Sequence, residues 1–498
     1  MKKCIPILIL LLVSAGLWAA LQEVEKNVSF FTLSNGLKVI VYEDHMSPVF
    51  SAVTYANVGS VDEVVGITGL AHIFEHMAFK GTSTIGTKDY EKEKAAMEKE
   101  EAAFVALKAE KARGYLADAA KIKQYEETMQ AAQDEAKQYV VSNEFSQIVE
   151  REGAEGLNAN TNFDQTQYLY SFPSNKLELW AYMESERFLD PVLREFHTEK
   201  KVIAEERRMG VESQPVGRMM EEFLGLAYKA HPYGVDVVGH MSDILNMSRD
   251  QAIKFFRDHY TSENMVLSLA GDVYPDQAKI LLEKYFGRLP RRPAPAPVTT
   301  VEPPQLGERS EVIKDPSQPI LIMGFHKGSF NDPDNPVFSA ITDVMGTGRT
   351  SRLYKRLVRD EKLALDAGSF SGGLGGEKYP GIFLFYAVPM QGKTNADCEK
   401  AILEEIEKMK TQPVTTEELL RVKTRAKGDF IRGLQSDQGM AEQLAFFEEI
   451  AGSWKALFTQ LDKIEKVTGD DIQRVAKGTF TEANRTVVTL EHEEGGTK

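Results

Sequence analysis

Two histidines stand four residues apart in the stretch LAHIFEHMAFKGT, residues 70–82, with a glutamate between them: His72, Glu75 and His76. On an α-helix, positions i and i+4 share a face, so both imidazoles can point at one ion. Glu75 follows His72 by three residues and sits beside the same face. Zn²⁺ accepts neutral imidazole and carboxylate ligands, and its catalytic sites keep one position open for water. A bound zinc brings that water's pKa towards neutrality, and an unligated carboxylate nearby can carry its proton to a leaving amine. The pentapeptide therefore holds the residue types needed for peptide-bond hydrolysis. It lacks a third ligand, and His pairs at this spacing also occur on helices that bind nothing.

The elements that must position these residues are legible in outline. FTLSNGLKVIVYED reads as a β-hairpin around Asn35-Gly36, the dipeptide favoured by a type I′ turn. VFSAVTYANVGS follows as a β-rich run, and residues 66–80 as a helix. In the second half QPILIMGFHKGS and GIFLFYAVPM read as strands, and CEKAILEEIEKMKTQ and TTEELLRVKTRAKGDFIRGLQ as helices. The expected fold class is α+β, with two homologous domains, each a mainly antiparallel sheet packed with helices. The homology is carried by two ungapped segments, one from Ile244 and one from Ile464, in which Asp250, Thr261 and Asn264 fall opposite Asp470, Thr481 and Asn484. Each segment reads as a helix opened by a hydroxyl cap, Ser248 or Thr468, then a turn and a strand.

Residues 88 to about 148 differ from the rest. They are rich in Ala, Glu and Lys and poor in strand formers, which predicts a long helix or a helical hairpin turning near Gly114, inserted into the first domain. Its charges are expected to form a solvated face, so removal of the segment should leave metal binding intact. A Pro-rich stretch, RLPRRPAPAPVTTVEPPQ, reads as an extended linker. The expected division is a signal peptide at 1–20, a zinc-binding domain at 21–287, the linker at 288–305 and a second domain at 306–498.

The totals constrain partners and location. The chain has 498 residues, 42% apolar and 27% charged, and a formal net charge of −15. That charge argues against general nucleic-acid binding and against docking on an anionic membrane. Lys2 and Lys3, an apolar run from Ile5 to about Leu17, then Ala19 and Ala20 have the layout of a secretory leader. Export to a bacterial periplasm is expected, without stable membrane insertion after cleavage; an uncleaved leader would leave a membrane anchor. Cys398 is the only cysteine beyond the leader, which excludes an intramolecular disulfide in the cleaved chain.

GITGLAHIFEHMAFKGT resembles the zinc helix of the pitrilysin (insulinase-like) metallopeptidases, the inverzincins, in its bacterial two-domain form; their motif is H-x-x-E-H. The resemblance implies one Zn²⁺ per chain held by His72 and His76, with Glu75 as general base. It takes the third ligand from a downstream acidic helix, here HTEKKVIAEERRMGVES, seven residues beyond another glutamate. Glu206 becomes the ligand and Glu199 its supporting acid, with adjacent Glu205 as the alternative ligand. A seven-residue step is two helical turns, so Glu199 and Glu206 share a face. Glu206 follows His76 by 130 residues, more than the family spacing, and the excess is close to the length of the 88–148 insert.

GLNANTNFDQTQYLYSF is similar to the family's G-x-x-N-A-x-T segment, an edge strand that pairs with substrate backbone; the matching positions are Gly156, Asn158, Ala159 and Thr161. Self-sufficient members carry in the second domain an Arg and a later Tyr that hold the substrate. Arg359 matches the Arg, but Leu365, or Asp366 with a one-residue shift, stands in place of the Tyr. The resemblance therefore implies a zinc endopeptidase acting on peptides or small unfolded polypeptides in a chamber shared with a second homologous subunit, or with another copy of itself. The alternatives are a non-catalytic or assembly subunit of this fold, a presequence-processing peptidase, or a binding module whose working part is the insert.

Overall fold

The computed structural model describes residues 21–492. The expected signal peptide lies outside them. Among the described residues no helix is long and apolar enough to cross a membrane.

Two sheets organise the chain. The first has six strands: β1 (Val28–Thr32), β2 (Lys38–Glu43), β3 (Val49–Ala56), β4 (Glu155–Thr161), β5 (Thr166–Pro173) and β6 (Met265–Gly271), in the order β1-β2-β6-β3-β5-β4. The second has five: β7 (Arg309–Asp315), β8 (Ile320–Lys327), β9 (Ala364–Phe370), β10 (Gly381–Pro389) and β11 (Arg485–His492), in the order β7-β11-β8-β10-β9. In each, the last strand of the half inserts between two earlier strands that are consecutive in sequence, parallel to the first and antiparallel to the second: β6 between β2 and β3, β11 between β7 and β8. All other pairings are antiparallel. The fold is α+β with two related sheet layers.

The duplicated segments occupy matching places. The helices Arg249–His259 and Gly469–Thr479 each open on a reciprocal capping box, Ser248 with Gln251 and Thr468 with Asp471. After each helix an asparagine ties the turn to the next sheet strand. Asn264 Nδ2 donates to His259 O and Asn57 O, and Asn484 Nδ2 to Thr479 O and His326 O, all within 3.2 Å.

The helices that matter for the site and its frame are α1 (Leu70–Met77), α2 (Tyr90–Lys111), α3 (Ala119–Lys137), α4 (Phe196–Arg207), α5 (Pro215–Ala227), α6 (Met241–Asn246) and, much later, α7 (Asp437–Ile450). Helices α5 and α7 cross between the sheets. Met219, Phe223 and Leu224 of α5 share a core with Ile322, Leu384 and Val488 of the second sheet. Met440, Ala441 and Leu444 of α7 share one with Ile40, Val53 and Val266 of the first. Lys38 on β2 reaches Glu448 and Glu449 of α7 at 3.2 and 3.0 Å. Each sheet is thus covered in part by a helix from the other half of the chain.

Residues 290–306 form no helix or strand, as the proline content requires, but they are tied down. Glu302 accepts the backbone N–H groups of Lys229, Ala230 and His231, and Val298 N donates to the Tyr379 hydroxyl.

Two sequence expectations need correction. The turn between β1 and β2 is not type I′, because Asn35 keeps a negative φ and only Gly36 (φ +91°) enters the left-handed region. Gly36 N donates to Leu33 O and Leu33 N to Leu37 O, the pattern of a type I turn followed by a glycine bulge. The Asn35 side chain is used elsewhere: its Nδ2 donates to Phe286 O and Leu289 O, and its Oδ1 accepts Leu37 N–H. The helical insert does form the α2–α3 hairpin turning at Gly114, but one face of α2 is not solvated. Glu93, Glu100 and Glu101 are buried against the domain. They meet Arg194, Arg249 and His197 at 2.7, 2.6 and 2.9 Å. Buried carboxylates require such partners.

Candidate metal centre

Helix α1 is amphipathic in the sense its chemistry needs. Leu70, Ala71, Ile73, Phe74 and Met77 are buried in a core with Val39, Phe50 and Leu267 of the first sheet, which leaves His72, Glu75 and His76 on the opposite, half-open side. Its first N–H groups lack an N-cap side chain, because Gly69 precedes it. Buried Glu63 replaces the cap by accepting Gly69 N–H and Ala71 N–H, each at 2.7 Å. Gly69 is required twice over: its φ is +88°, and a Cβ there would lie 2.4 Å from Val238 O.

Helix α4 faces α1 and brings the downstream glutamates. His72 Nε2 and His76 Nε2 lie 3.9 and 3.8 Å from Glu206 Oε2. The two imidazole rings are nearly perpendicular, with centroids 4.9 Å apart. One donor atom from each of His72, His76 and Glu206 lies within 4.8 Å of the others. Metal–ligand bonds near 2 Å fit between donors at such separations, so the residues present suit a Zn²⁺ ion. Glu205, one residue away, points off the site and pairs with Arg208 at the surface.

The supporting residues orient the donors. Glu199 Oε1 lies 3.0 Å from His76 Nδ1, and Glu199 Oε2 lies 2.7 Å from Lys80 Nζ. Burial alone would raise the Glu199 carboxyl; the bonds to His76 and Lys80 overcome it and hold the group at about 2. Burial likewise pulls His76 down, but Glu199 and Glu206 outweigh it and raise the imidazole above its ordinary value. His72 has no such carboxylate on its second nitrogen: burial first, then the neighbouring His76, lower it to about 4, and its Nδ1 is buried without a partner. His72 is thereby kept neutral, the form that ligates metal. Burial raises Glu75, although the Thr161 hydroxyl donates to its Oε2 at 2.6 Å. A carboxylate raised in this way is a better proton acceptor.

Thr161 ends β4, the open edge of the first sheet, where Gly156, Asn158 and Ala159 also lie. The β4–β5 register shifts between Glu155 and Asn158, and Gly156 takes a φ of +66° at that bulge. The structure does not bring Arg359 to the cluster. Its guanidinium is exposed and paired with Asp360, and it makes no hydrogen bond or ion pair to the residues around His72. Leu365 lies exposed on β9 and carries no donor, while Asp366 accepts a hydrogen bond from the Tyr386 hydroxyl at 3.0 Å.

Sequence reasoning missed Glu63, Lys80 and Arg194. Arg194 donates to Glu93 and to the carbonyls of Lys80, Thr82 and Ile85, and so fixes the chain leaving α1. Lys80 and Arg194 meet partners about a hundred residues away; Glu63 meets Gly69 and Ala71 close by, but no sequence motif marks a cap that precedes its helix by several residues.

Comparison with known proteins places this geometry. Residues 38–119 match the family model described as "Insulinase (Peptidase family M16)", and residues 246–426 match "Peptidase M16 inactive domain". The zinc protease PqqE of Helicobacter pylori is 28% identical, over 98% of each chain. The uncharacterized zinc protease YmxG of Bacillus subtilis is 23% identical, over 91% of this chain and 95% of its own. Among solved structures, a protease from Helicobacter pylori superposes with a TM-score of 0.77 at 26% identity, covering 93% of this chain and 99% of that one. The periplasmic protease PqqL from Escherichia coli shares the fold, with a TM-score of 0.69 at 17% identity, over 94% of this chain and 48% of that one. With both the region of α1 and much of the later half matched, and with the fold shared, the chain belongs to peptidase family M16, the insulinase/pitrilysin-like peptidases.

Proposed function

We propose that the protein is a zinc-dependent endopeptidase that cleaves peptides or small unfolded polypeptides. The observation that carries this reading is the convergence of His72 Nε2, His76 Nε2 and Glu206 Oε2, with the unligated Glu75 carboxylate beside them. The names of relatives, zinc proteases, agree with it. When bound, zinc would polarise a peptide carbonyl and acidify a water molecule. His72, His76 and Glu206 would hold the ion. Glu75 takes the water's proton at Oε1 or Oε2 and delivers it to the departing amine. Thr161 limits Glu75 to one orientation, and Glu199 fixes the His76 ring so that Nε2 faces inward. The free edge of β4 can receive substrate backbone as an added strand, with Gly156, Asn158 and Ala159 along it.

Glu75→Gln should bind zinc and fail to hydrolyse an unstructured peptide. Cleavage by the purified variant at the parent rate would exclude this role.

The second sheet motivates a two-chain assembly. Leu365 occupies the place expected of a tyrosine, and Arg359 is paired away from the metal centre. A homologous partner subunit that carries the tyrosine would supply the missing hydroxyl donor; a second copy of this chain, with the same Leu365, would share the chamber without supplying that group. Activity of the isolated chain equal to that of the assembled complex would count against it. A non-catalytic subunit is the second reading, favoured by the same leucine. For organisation and location we propose the signal peptide at 1–20, the zinc-binding half at 21–287, the connecting stretch at 288–305, the second half at 306–498, and export to the periplasm, where a fold relative is named as resident.

A further inference from the structure

The helical insert does more than cover α4. Between α2 and α3 on one side and α4 and α6 on the other lies a cleft of about 530 Å³, within the usual size of a small-molecule site. Its apolar wall is made by Phe104, Leu107, Met129 and Leu245. Lys108, Lys111, Lys200 and Lys201 also line it, and Glu126 is its one acidic lining residue. Glu126 is already engaged by Lys111 at 2.8 Å. This cationic concentration stands on a chain of net charge −15.

Two lysines are held in place by backbone. Lys108 Nζ donates to Asn246 O at 2.7 Å, and Lys200 Nζ to Leu245 O and Met247 O, so both ammonium groups sit at the carbonyl end of α6. Lys108 keeps two N–H donors beyond its bond; burial lowers Lys200 to about 7 and its Nζ lies 4.0 Å from the Phe104 ring centroid, so Lys108 and Lys201 are the cations left to meet a ligand. Lys201 is exposed and has no ion-pair partner among the described residues. His197 lines the same cleft, is 1% exposed and bonds Glu101 through Nε2, and its buried Nδ1 has no hydrogen-bond partner. Its ring packs on Phe104 with centroids 4.3 Å apart.

We propose that the cleft between the helical insert and α4 binds a small organic acid, a carboxylate joined to an apolar tail. The tail lies against Phe104, Leu107, Met129 and Leu245; the carboxylate is paired by Lys108 and Lys201. A cation of the same shape is repelled, and a neutral analogue gains only the apolar contact. The chemistry fits two sources, a free fatty acid or a peptide ending in an apolar residue. The site is separate from the metal centre, and its test does not depend on hydrolysis.

The experiment is calorimetric titration of the full chain with octanoate, octylamine, octan-1-ol and acetyl-leucyl-leucine, with thermal unfolding as a second readout. Saturable one-site binding of a carboxylate, with octylamine silent, is expected. Lys201→Glu, at an exposed position, should weaken it about fivefold or more. Met129→Trp should block the tail without changing zinc content. Tighter binding of octanoate would assign a fatty acid, and tighter binding of acetyl-leucyl-leucine a peptide end; both support the site. Absence of saturable carboxylate binding, equal binding of octylamine, or affinity unchanged by both variants would overturn it.

Discussion

Glu199 Oε1 lies 3.0 Å from His76 Nδ1, while its other oxygen lies 2.7 Å from Lys80 Nζ. One carboxylate therefore fixes the imidazole of a candidate ligand and is itself neutralised from behind. Partners of this kind tune ligand basicity and orientation, and their loss typically costs about 10–100-fold in metal affinity. Glu199→Gln should weaken zinc binding by about that factor in a chelator-competition titration while leaving the circular dichroism spectrum unchanged. Unaltered affinity would mean that Glu199 serves only the fold.

Glu205 and Glu206 are neighbours with opposite surroundings. Glu206 approaches both histidines, whereas Glu205 pairs with Arg208. Glu206→Gln should yield protein nearly free of zinc by atomic emission, and Glu205→Gln protein with the parent content. The reverse pattern would move the ligand by one residue.

The burial of α2's acids changes what deletion of the insert should do. Glu93 is fully buried and pairs with Arg194, which is also buried and holds the carbonyls of Lys80, Thr82 and Ile85. Removing one partner of a buried pair typically costs about 3–5 kcal/mol. Glu93→Ala should lower stability by roughly that amount in urea unfolding, and removal of 88–148 should give a poorly folded protein, not a trimmed one. A soluble, zinc-binding deletion variant would refute the buried-pair argument.

The first sheet borrows α7 from the far end of the chain. A fragment ending at residue 305 would expose Ile40, Val53 and Val266, which now pack with Met440 and Leu444. Each large side chain so exposed forfeits about 1.5–3 kcal/mol. Such a fragment should aggregate or remain molten by near-ultraviolet circular dichroism. Recovery of a zinc-binding fold on mixing it with residues 306–498 is expected. A monomeric, cooperatively unfolding fragment would contradict this dependence.

Acid stability has an identifiable contributor away from the candidate metal centre. Burial would raise the Glu418 carboxyl, but Arg352, at 2.7 and 2.9 Å, and the Thr415 cap hold it at about 2. Because its folded value lies below the unfolded one, its stabilisation is complete above about pH 4.5 and is lost as pH falls towards 2. Glu418→Gln should cost about 1–3 kcal/mol at neutral pH and flatten the decline between pH 4.5 and 2. An acid limb identical to the parent's would show that the pair contributes nothing.

His72, Glu75 and His76 were legible because helical geometry is local: four residues fix a shared face before any tertiary contact forms. Glu206 became legible through its two-turn step from Glu199 and through the family resemblance. The paired sheets showed in the matching segments from Ile244 and Ile464. What stayed hidden depends on contacts that form only when the chain folds. Glu63 looks like any acid of a surface loop until α1's unmet N–H groups fold onto it. Glu93, Glu100 and Glu101 have the composition of a solvated helix, and only Arg194, Arg249 and His197 make their burial tolerable. Asn35-Gly36 suggested a type I′ turn, but the Asn35 amide is drawn to the carbonyls of Phe286 and Leu289. Local propensity gave way there to a tertiary hydrogen bond.

The most direct test of the metal centre is anomalous diffraction at the zinc edge from crystals of the full chain grown with zinc. A single strong peak within bonding distance of His72 Nε2, His76 Nε2 and Glu206, with Glu75 outside the coordination sphere, is the expected result. A zinc-replete crystal with no peak at this cluster, or with Glu75 bound directly to the ion, would contradict the account.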